Sequence, residues 1–297
     1  MRFKGSYVAM VTPFRNGQLD EAGIRSLVDF HLENGTHGIV ACGTTGESAT
    51  LSHEEHDRVI EIVIEQVAGR IPVIAGSGSN STAEAVRRTR FAEKAGADGA
   101  LLVAPYYNKP TQEGLYQHFK AIAESADIPI VLYNVPGRTV ISIQADTIAR
   151  LAEIPNIVGV KEATGNISNT CEIISKVPKD FIVLSGDDFV TLPMMAMGAV
   201  GTISVTANVA PADVAEMCQA QLDGDRERAL RLHYKMWELN HMMFVETNPI
   251  PAKATLAMMG RLKLEYRLPL CPPSAANMKK LEAFAKSYGL IPETVTV

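Results

Sequence analysis

Short apolar runs recur along the chain at 7–11, 38–41, 72–75, 100–104, 129–133, 157–161, 181–184 and 200–205. They are rich in Val, Ile and Leu and flanked by turn-forming residues, the pattern of buried strands. Between them the apolar positions change to helical spacing, as in Ile24, Leu27, Val28, Phe30 and His31, or Val59, Ile60, Val63, Ile64 and Val67. Strand alternating with helix implies parallel pairing through right-handed crossovers. Eight such units predict an α/β fold, a (β/α)8 TIM barrel over residues 1–224. Helix starts support the scheme: Ser52-His53-Glu54-Glu55 reads as a capping box, and Pro211-Ala212-Asp213 places proline in a first turn. The seventh helix has little room between Asp188 and Gly198 and must be short. Beyond Gly224 the runs 226–245, 251–259 and 274–288 keep helical period without another strand, which predicts a C-terminal helical appendage over 225–297.

Function in a barrel of this kind sits where the strands end and the loops converge. Those ends supply Thr12, Gly43-Thr44-Thr45-Gly46-Glu47, Gly76 to Asn80, Tyr106-Tyr107-Asn108, Tyr133 to Arg138, Lys161 and Gly186-Asp187-Asp188. The sixth run, Ile157-Val158-Gly159-Val160-Lys161, delivers a cation into its loop. Strand alternation puts Ile157, Gly159 and Lys161 on one face and Val158 and Val160 on the other, with Gly159 leaving space beside the lysine stem. An ammonium at the end of an apolar strand is poorly hydrated, which favours the neutral, nucleophilic amine. Alternatively Lys161 snorkels out to pair with a carboxylate such as Glu162. Thr44 and Thr45 are either helix-capping hydroxyls in a glycine-bounded turn or part of a nest for a small carboxylate. Tyr133 is a core aromatic or a proton shuttle, and Arg138 a solvated loop charge or a carboxylate clamp.

Composition narrows the classes. The 297 residues are 46% hydrophobic and 21% charged, enough to bury a sizeable core. A net charge of −5 with no basic stripe gives no footprint for nucleic acid. The most apolar stretch, 194–209, is interrupted by Gly198, Gly201, Thr202, Ser204, Thr206 and Asn208, so no membrane span is expected. Met1 to Ser6 lead directly into a strand with no cleavable leader, and Cys42, Cys171, Cys218 and Cys271 are scattered, which suits a reduced cytoplasmic compartment. No metal site is expected: the mouth has no histidine, and His53-Glu54-Glu55-His56 lacks the H-E-x-x-H spacing. Gly76-Ser77-Gly78 matches no phosphate-binding fingerprint.

Taken together, Thr44-Thr45-Gly46-Glu47, Tyr133-Asn134-Val135-Pro136-Gly137-Arg138-Thr139 and Gly159-Val160-Lys161-Glu162-Ala163 resemble the dihydrodipicolinate synthase family of pyruvate-dependent class I aldolases, and the resemblance extends over essentially the whole chain. It implies a Schiff base between pyruvate and Lys161, with Thr44 and Thr45 holding the pyruvate carboxylate and no separate cofactor. It further implies a proton relay of Tyr133, Thr45 and Tyr107, with Tyr107 supplied by a neighbouring subunit. Arg138 would bind the carboxylate of L-aspartate 4-semialdehyde, and Gly186 and Ile203 would line the pyruvate pocket. Ser48, Ala49, His53, His56, Asn80, Glu84 and Tyr106 match the L-lysine feedback site of lysine-sensitive members. The expected assembly is a homotetramer of two tight dimers. Two rival readings stand: another pyruvate aldolase acting on N-acetylneuraminate or a keto-deoxy sugar acid, and a non-catalytic carboxylate-binding barrel. Arg138 argues against the first, and the combination of Lys161, Tyr133, Thr45 and Tyr107 against the second.

Overall fold

The structure, a computed structural model, describes residues 3–293; Met1, Arg2 and 294–297, included in the expected domain spans and, for Met1 and Arg2, in the reading of the chain start, lie outside the described residues. Among the described residues ten strands are present: β1 (Gly5–Ala9), β2 (Phe14–Arg15), β3 (Gln18–Leu19), β4 (Gly38–Ala41), β5 (Val73–Gly76), β6 (Gly99–Val103), β7 (Ile130–Asn134), β8 (Ile157–Glu162), β9 (Ile182–Ser185) and β10 (Gly201–Ser204). Eight of them close a barrel in the order β1-β10-β9-β8-β7-β6-β5-β4, while β2 and β3 form a separate two-stranded sheet that the apolar pattern did not signal. A two-residue strand is too short for alternation to register.

The crossovers carry α1 (Glu21–Glu33), α2 (His53–Val67), α3 (Thr82–Ala95), α4 (Gln112–Ala123), α5 (Pro136–Thr139), α6 (Ala145–Leu151), α7 (Ile167–Lys176), α8 (Thr191–Ala196) and α9 (Pro211–Leu222). Ser52 and Glu55 form the full capping box of α2, Pro211 opens α9, and α8 has only six residues. The appendage comprises α10 (Arg226–Lys235), α11 (Trp237–Met243), α12 (Ile250–Met258) and α13 (Ala275–Tyr288). The periodic run 226–245 is thus two helices that meet at Met236.

Apolar side chains fill two regions. Inside the barrel lie Phe3, Tyr7, Val40, Ile74, Leu101, Val131, Ile182, Leu184 and Ile203, and a larger core that includes Val8, Ile39, Leu132 and Val160 packs strands against helices. Complete burial of such side chains is worth about 1.5–3 kcal/mol each before entropy is counted. The expected face assignment of β8 holds for Gly159, Val160 and Lys161 but not at the strand start. A register shift between Ile130 and Val131 turns Ile157 to the outer core and Val158 to the interior. One extra residue in a ladder reverses the alternation on one side of it.

The appendage is fastened to the barrel at several places. On one side, Asp213 of α9 accepts from Tyr288 Oη at 2.7 Å and pairs with Lys235 at 2.8 Å. On the other, the segment from Asn248 to Arg267 reaches the loop after β4.

Candidate active site

Register brings the central pair together. Tyr133 and Lys161 are opposite one another on β7 and β8, both inside the barrel and both buried, Lys161 with 5% exposure. The lysine nitrogen lies 4.2 Å from the centre of the Tyr133 ring. Glu162 is not its counter-ion: one carboxylate oxygen accepts from Asn134 Nδ2 and the other from the Thr164 backbone, each at 2.8 Å. Consecutive residues on a strand face opposite sides, so Glu162 braces the loops outside while Lys161 occupies the mouth.

The space beside the lysine comes from a different glycine than the sequence suggested. A Cβ on Gly159 would lie 2.2 Å from Ile182 Cγ1, so that position serves close packing between strands. A Cβ on Gly186, at the end of β9, would lie 2.9 Å from Lys161 Cε, 3.0 Å from its Cγ and 2.6 Å from Ala163 Cβ. Gly186 therefore opens the channel through which the lysine stem reaches the mouth. Ile203 is buried inside the barrel beside it, opposite Tyr7 on the neighbouring strand.

Behind the lysine lies the buried carboxylate of Asp188. Burial pushes its pKa up, opposed by hydrogen bonds from Ser204 and the backbone of Thr206 and Val205, and by the charge of Lys161. One oxygen accepts from Val205 N at 2.9 Å and Thr206 N at 3.1 Å, which ties the β9 loop to the end of β10 and holds Ile203 in place.

Thr44 and Thr45 stand on a tight turn after β4 in which Gly43 and Thr44 carbonyls accept from Gly46 and Glu47. Thr12 Oγ1 donates to Gly46 O at 2.7 Å, and Glu47 adopts a left-handed φ of 54°. Contacts from more than 200 residues away hold this turn. Lys253 of α12 pairs with Glu47, both side chains fully buried, and Asn248 Nδ2 donates to Thr45 Oγ1 at 2.9 Å. The carbonyl of the same Asn248 accepts from Arg138 Nη2 at 3.0 Å, which fixes the guanidinium at the rim. Asn248, Lys253 and Arg267 were not singled out from the sequence, because a polar residue in a helical appendage carries no local sign of its partner.

A cleft of about 600 Å³ joins Thr44, Arg138 and Asn248 to Ser48, Ala49, His53, Glu84 and Tyr106. Two of the seven residues matched to a lysine site lie outside its lining. His56 is fully buried with Nε2 2.8 Å from Gly76 O, and burial lowers its pKa to about 4. Asn80 instead donates to the Tyr106 carbonyl at 3.1 Å. Glu84 is held by His53 at 2.8 Å, Arg88 at 2.9 Å and the Ser79 hydroxyl. Tyr107 stands apart from Lys161 and Tyr133: it is 91% exposed, with φ at +73°. A tyrosine in the left-handed region is uncommon.

The sequence matches the dihydrodipicolinate synthetase family over residues 2–288. The chain belongs to that family. The 4-hydroxy-tetrahydrodipicolinate synthase of Thermodesulfovibrio yellowstonii is 58% identical over 97% of this chain and 99% of its own. Among solved members, dihydrodipicolinate synthase from Aquifex aeolicus is 51% identical with a TM-score of 0.97, covering 98% of this chain and 100% of that one. The chloride-inhibited enzyme from Acinetobacter baumannii, solved with pyruvate, is 49% identical with a TM-score of 0.95 over 97% and 99% of the two chains. DHDPS from Cyanidioschyzon merolae, solved with lysine bound, is 42% identical with a TM-score of 0.94 over 98% and 100%. Dihydrodipicolinate synthetase family membership thus covers barrel and appendage together. Among the described residues no group of His, Cys, Asp and Glu side chains is arranged to hold a metal ion, and no helix is long and apolar enough to cross a membrane.

Proposed function

We propose that this chain is a lyase that condenses pyruvate with L-aspartate 4-semialdehyde to give 4-hydroxy-tetrahydrodipicolinate, in the diaminopimelate route to lysine. The observation that carries the reading is the buried amine of Lys161 against the Tyr133 ring, beside a passage that only a glycine at 186 leaves open. Lys161 attacks the pyruvate carbonyl, water leaves, and the nitrogen becomes a protonated Schiff base that withdraws electrons from the adjacent methyl group. Loss of a methyl proton to the Tyr133 oxygen gives an enamine, so neither metal nor separate cofactor is required. The enamine carbon bonds to the aldehyde carbon, and the amino group of the second substrate then displaces Lys161 and closes the ring.

Thr44 and Thr45 hold the pyruvate carboxylate, Gly186 and Ile203 shape its pocket, and Arg138 takes the carboxylate of the semialdehyde with its planar fork. Tyr133, Thr45 and Tyr107 form the relay, Tyr107 serving a second copy of the chain. The exposure of that ring supports a homo-oligomer, a tetramer of two tight dimers. L-lysine acts as feedback inhibitor through Ser48, Ala49, His53, Glu84 and Tyr106, with His56 and Asn80 supporting that site from behind. The division into a catalytic barrel, 1–224, and a helical appendage, 225–297, belongs to the same reading. So does a cytoplasmic location, consistent with four free cysteines among the described residues.

The test is Arg138→Ala with two readouts. Condensation with L-aspartate 4-semialdehyde falls by about 100-fold or more, while the reducible pyruvate adduct forms as before. Equal loss of both would remove the assigned role, and turnover of N-acetylneuraminate without turnover of the semialdehyde would favour the sugar-acid aldolase.

A further inference from the structure

We infer that Arg88 sets the strength of L-lysine inhibition: its guanidinium occupies the Glu84 carboxylate that an arriving ammonium must share, and so holds inhibition below what the rest of the cleft would give. The inference rests on the reading of this cleft as the L-lysine site and adds to it a residue outside the seven matched to that site. Glu84 and Arg88 stand one turn apart on α3, and both line the cleft. Arg88 Nη2 lies 2.9 Å from Glu84 Oε1, and His53 Nε2 lies 2.8 Å from the same oxygen. Glu84 Oε2 accepts from the Ser79 hydroxyl. A carboxylate offers about four acceptor positions, so three donors leave it nearly full. Burial would raise the Glu84 pKa, but hydrogen bonds from Ser79 and His53 and the charge of Arg88 outweigh it and lower that pKa. The carboxylate is ionised at neutral pH and already has its cation.

An exposed pair at this spacing on a helix contributes little, because water screens both charges and offers each an alternative. Arg88 has no such alternative. It is 8% exposed, its Nε is buried without a hydrogen-bond partner, and its Nη1 reaches only the Gly78 carbonyl at 3.5 Å. A buried guanidinium that left Glu84 would lose its counter-ion, so the pair stays in place when a second cation enters. The rest of the cleft gives that cation no substitute. Of the two carboxylates among the described lining residues, Glu47 is committed to the buried ammonium of Lys253, and Arg138 adds a second positive charge to the same lining. A cationic ligand therefore meets a carboxylate whose charge is already matched, beside a guanidinium whose repulsion burial leaves weakly screened.

The experiment measures half-inhibition by L-lysine in the condensation of pyruvate with L-aspartate 4-semialdehyde, each full-length variant normalised to its own uninhibited rate. Arg88→Met and Arg88→Gln remove the charge and keep a long, helix-forming side chain. Both should lower the half-inhibiting concentration by about tenfold or more, the scale of a charge-assisted hydrogen bond made available to the ligand. Arg88→Lys keeps the cation and should stay within about threefold of the parent. The direction is decisive, because removing a merely structural residue loosens the cleft and weakens inhibition. Inhibition that appears only in the two neutral variants would support the inference equally. Unchanged or weaker inhibition in both overturns it, as does a gain in Arg88→Lys as large as that in Arg88→Met. Failure of both neutral variants to fold would assign Arg88 to the stability of α3 and overturn it too. No inhibition of the parent or of any variant at high millimolar lysine would refute instead the reading on which the inference rests.

Discussion

The ammonium of Lys253 lies 2.5 Å from a carboxylate oxygen of Glu47, and neither side chain is exposed to solvent. Glu47 closes the turn that bears Thr44 and Thr45, while Lys253 belongs to the appendage, so the pair transmits the position of one to the other. Burial pushes the lysine pKa down, opposed by the charge of Glu47 and its hydrogen bond. Breaking one partner of a buried pair leaves an uncompensated charge, so Lys253→Met should cost about 3–5 kcal/mol in urea unfolding. Adding Glu47→Gln should recover at least about 1 kcal/mol. A single variant as stable as the parent would contradict this account of the loop.

Gly186→Ala tests the channel for the lysine stem. The new methyl would overlap Ala163 and the middle of Lys161. Lys161 must then shift, and a displacement of about 1 Å at a reacting group can cost about 100-fold. The rate of borohydride-trapped pyruvate adduct should fall by about 10- to 100-fold, with the thermal midpoint lowered only modestly. An unchanged trapping rate would show that the stem has room elsewhere.

Acid should destabilise the fold before most carboxylates titrate. Burial lowers His31 to about 3, assisted by Arg261, and lowers His118 to about 4; His56 likewise falls to about 4 through burial and Arg88. These rings stay neutral when folded and bind protons when unfolded below about pH 6.5. The unfolded state then holds more protons, so stability is complete above that pH and declines as pH falls towards 4. Urea midpoints at pH 7.5, 5.5 and 4.5 should descend in that order, and His118→Gln should flatten the trend. Equal midpoints at pH 7.5 and 5.5 would contradict it.

Glu84 already holds His53 and Arg88 at the cleft edge, so an arriving ammonium meets a carboxylate fixed in place. Glu84→Gln keeps the shape and removes the charge. The lysine concentration for half-inhibition should rise by about tenfold or more, the scale of a lost charge-assisted hydrogen bond. An unchanged inhibition curve would move the lysine site away from Glu84.

How much of this was legible from sequence depended on the range over which each residue's partner lies. Lys161 and Tyr133 end apolar runs, and the barrel topology gathers run ends, so local pattern sufficed to bring these two together. The glycine beside the lysine was misassigned, because Gly159 shares its strand face with Lys161 whereas the true opening, Gly186, lies just after the next strand. Two-residue alternation cannot display a cross-strand neighbour. Nor could it foresee the register shift at Ile130 and Val131 that reverses Ile157 and Val158. Asn248 and Lys253 were illegible for a stronger reason: each acts on a turn more than 200 positions away, and nothing in a helical period names such a partner.

The mechanism stands on Lys161 as the nucleophile. Sodium borohydride added to the protein with pyruvate, followed by intact-mass analysis and peptide mapping, tests it most directly. One reduced pyruvate adduct per chain is expected, located on Lys161 and absent from Lys161→Ala. A folded protein that gains no adduct, or gains it on another lysine, would contradict the mechanism and leave the barrel as a carboxylate-binding protein.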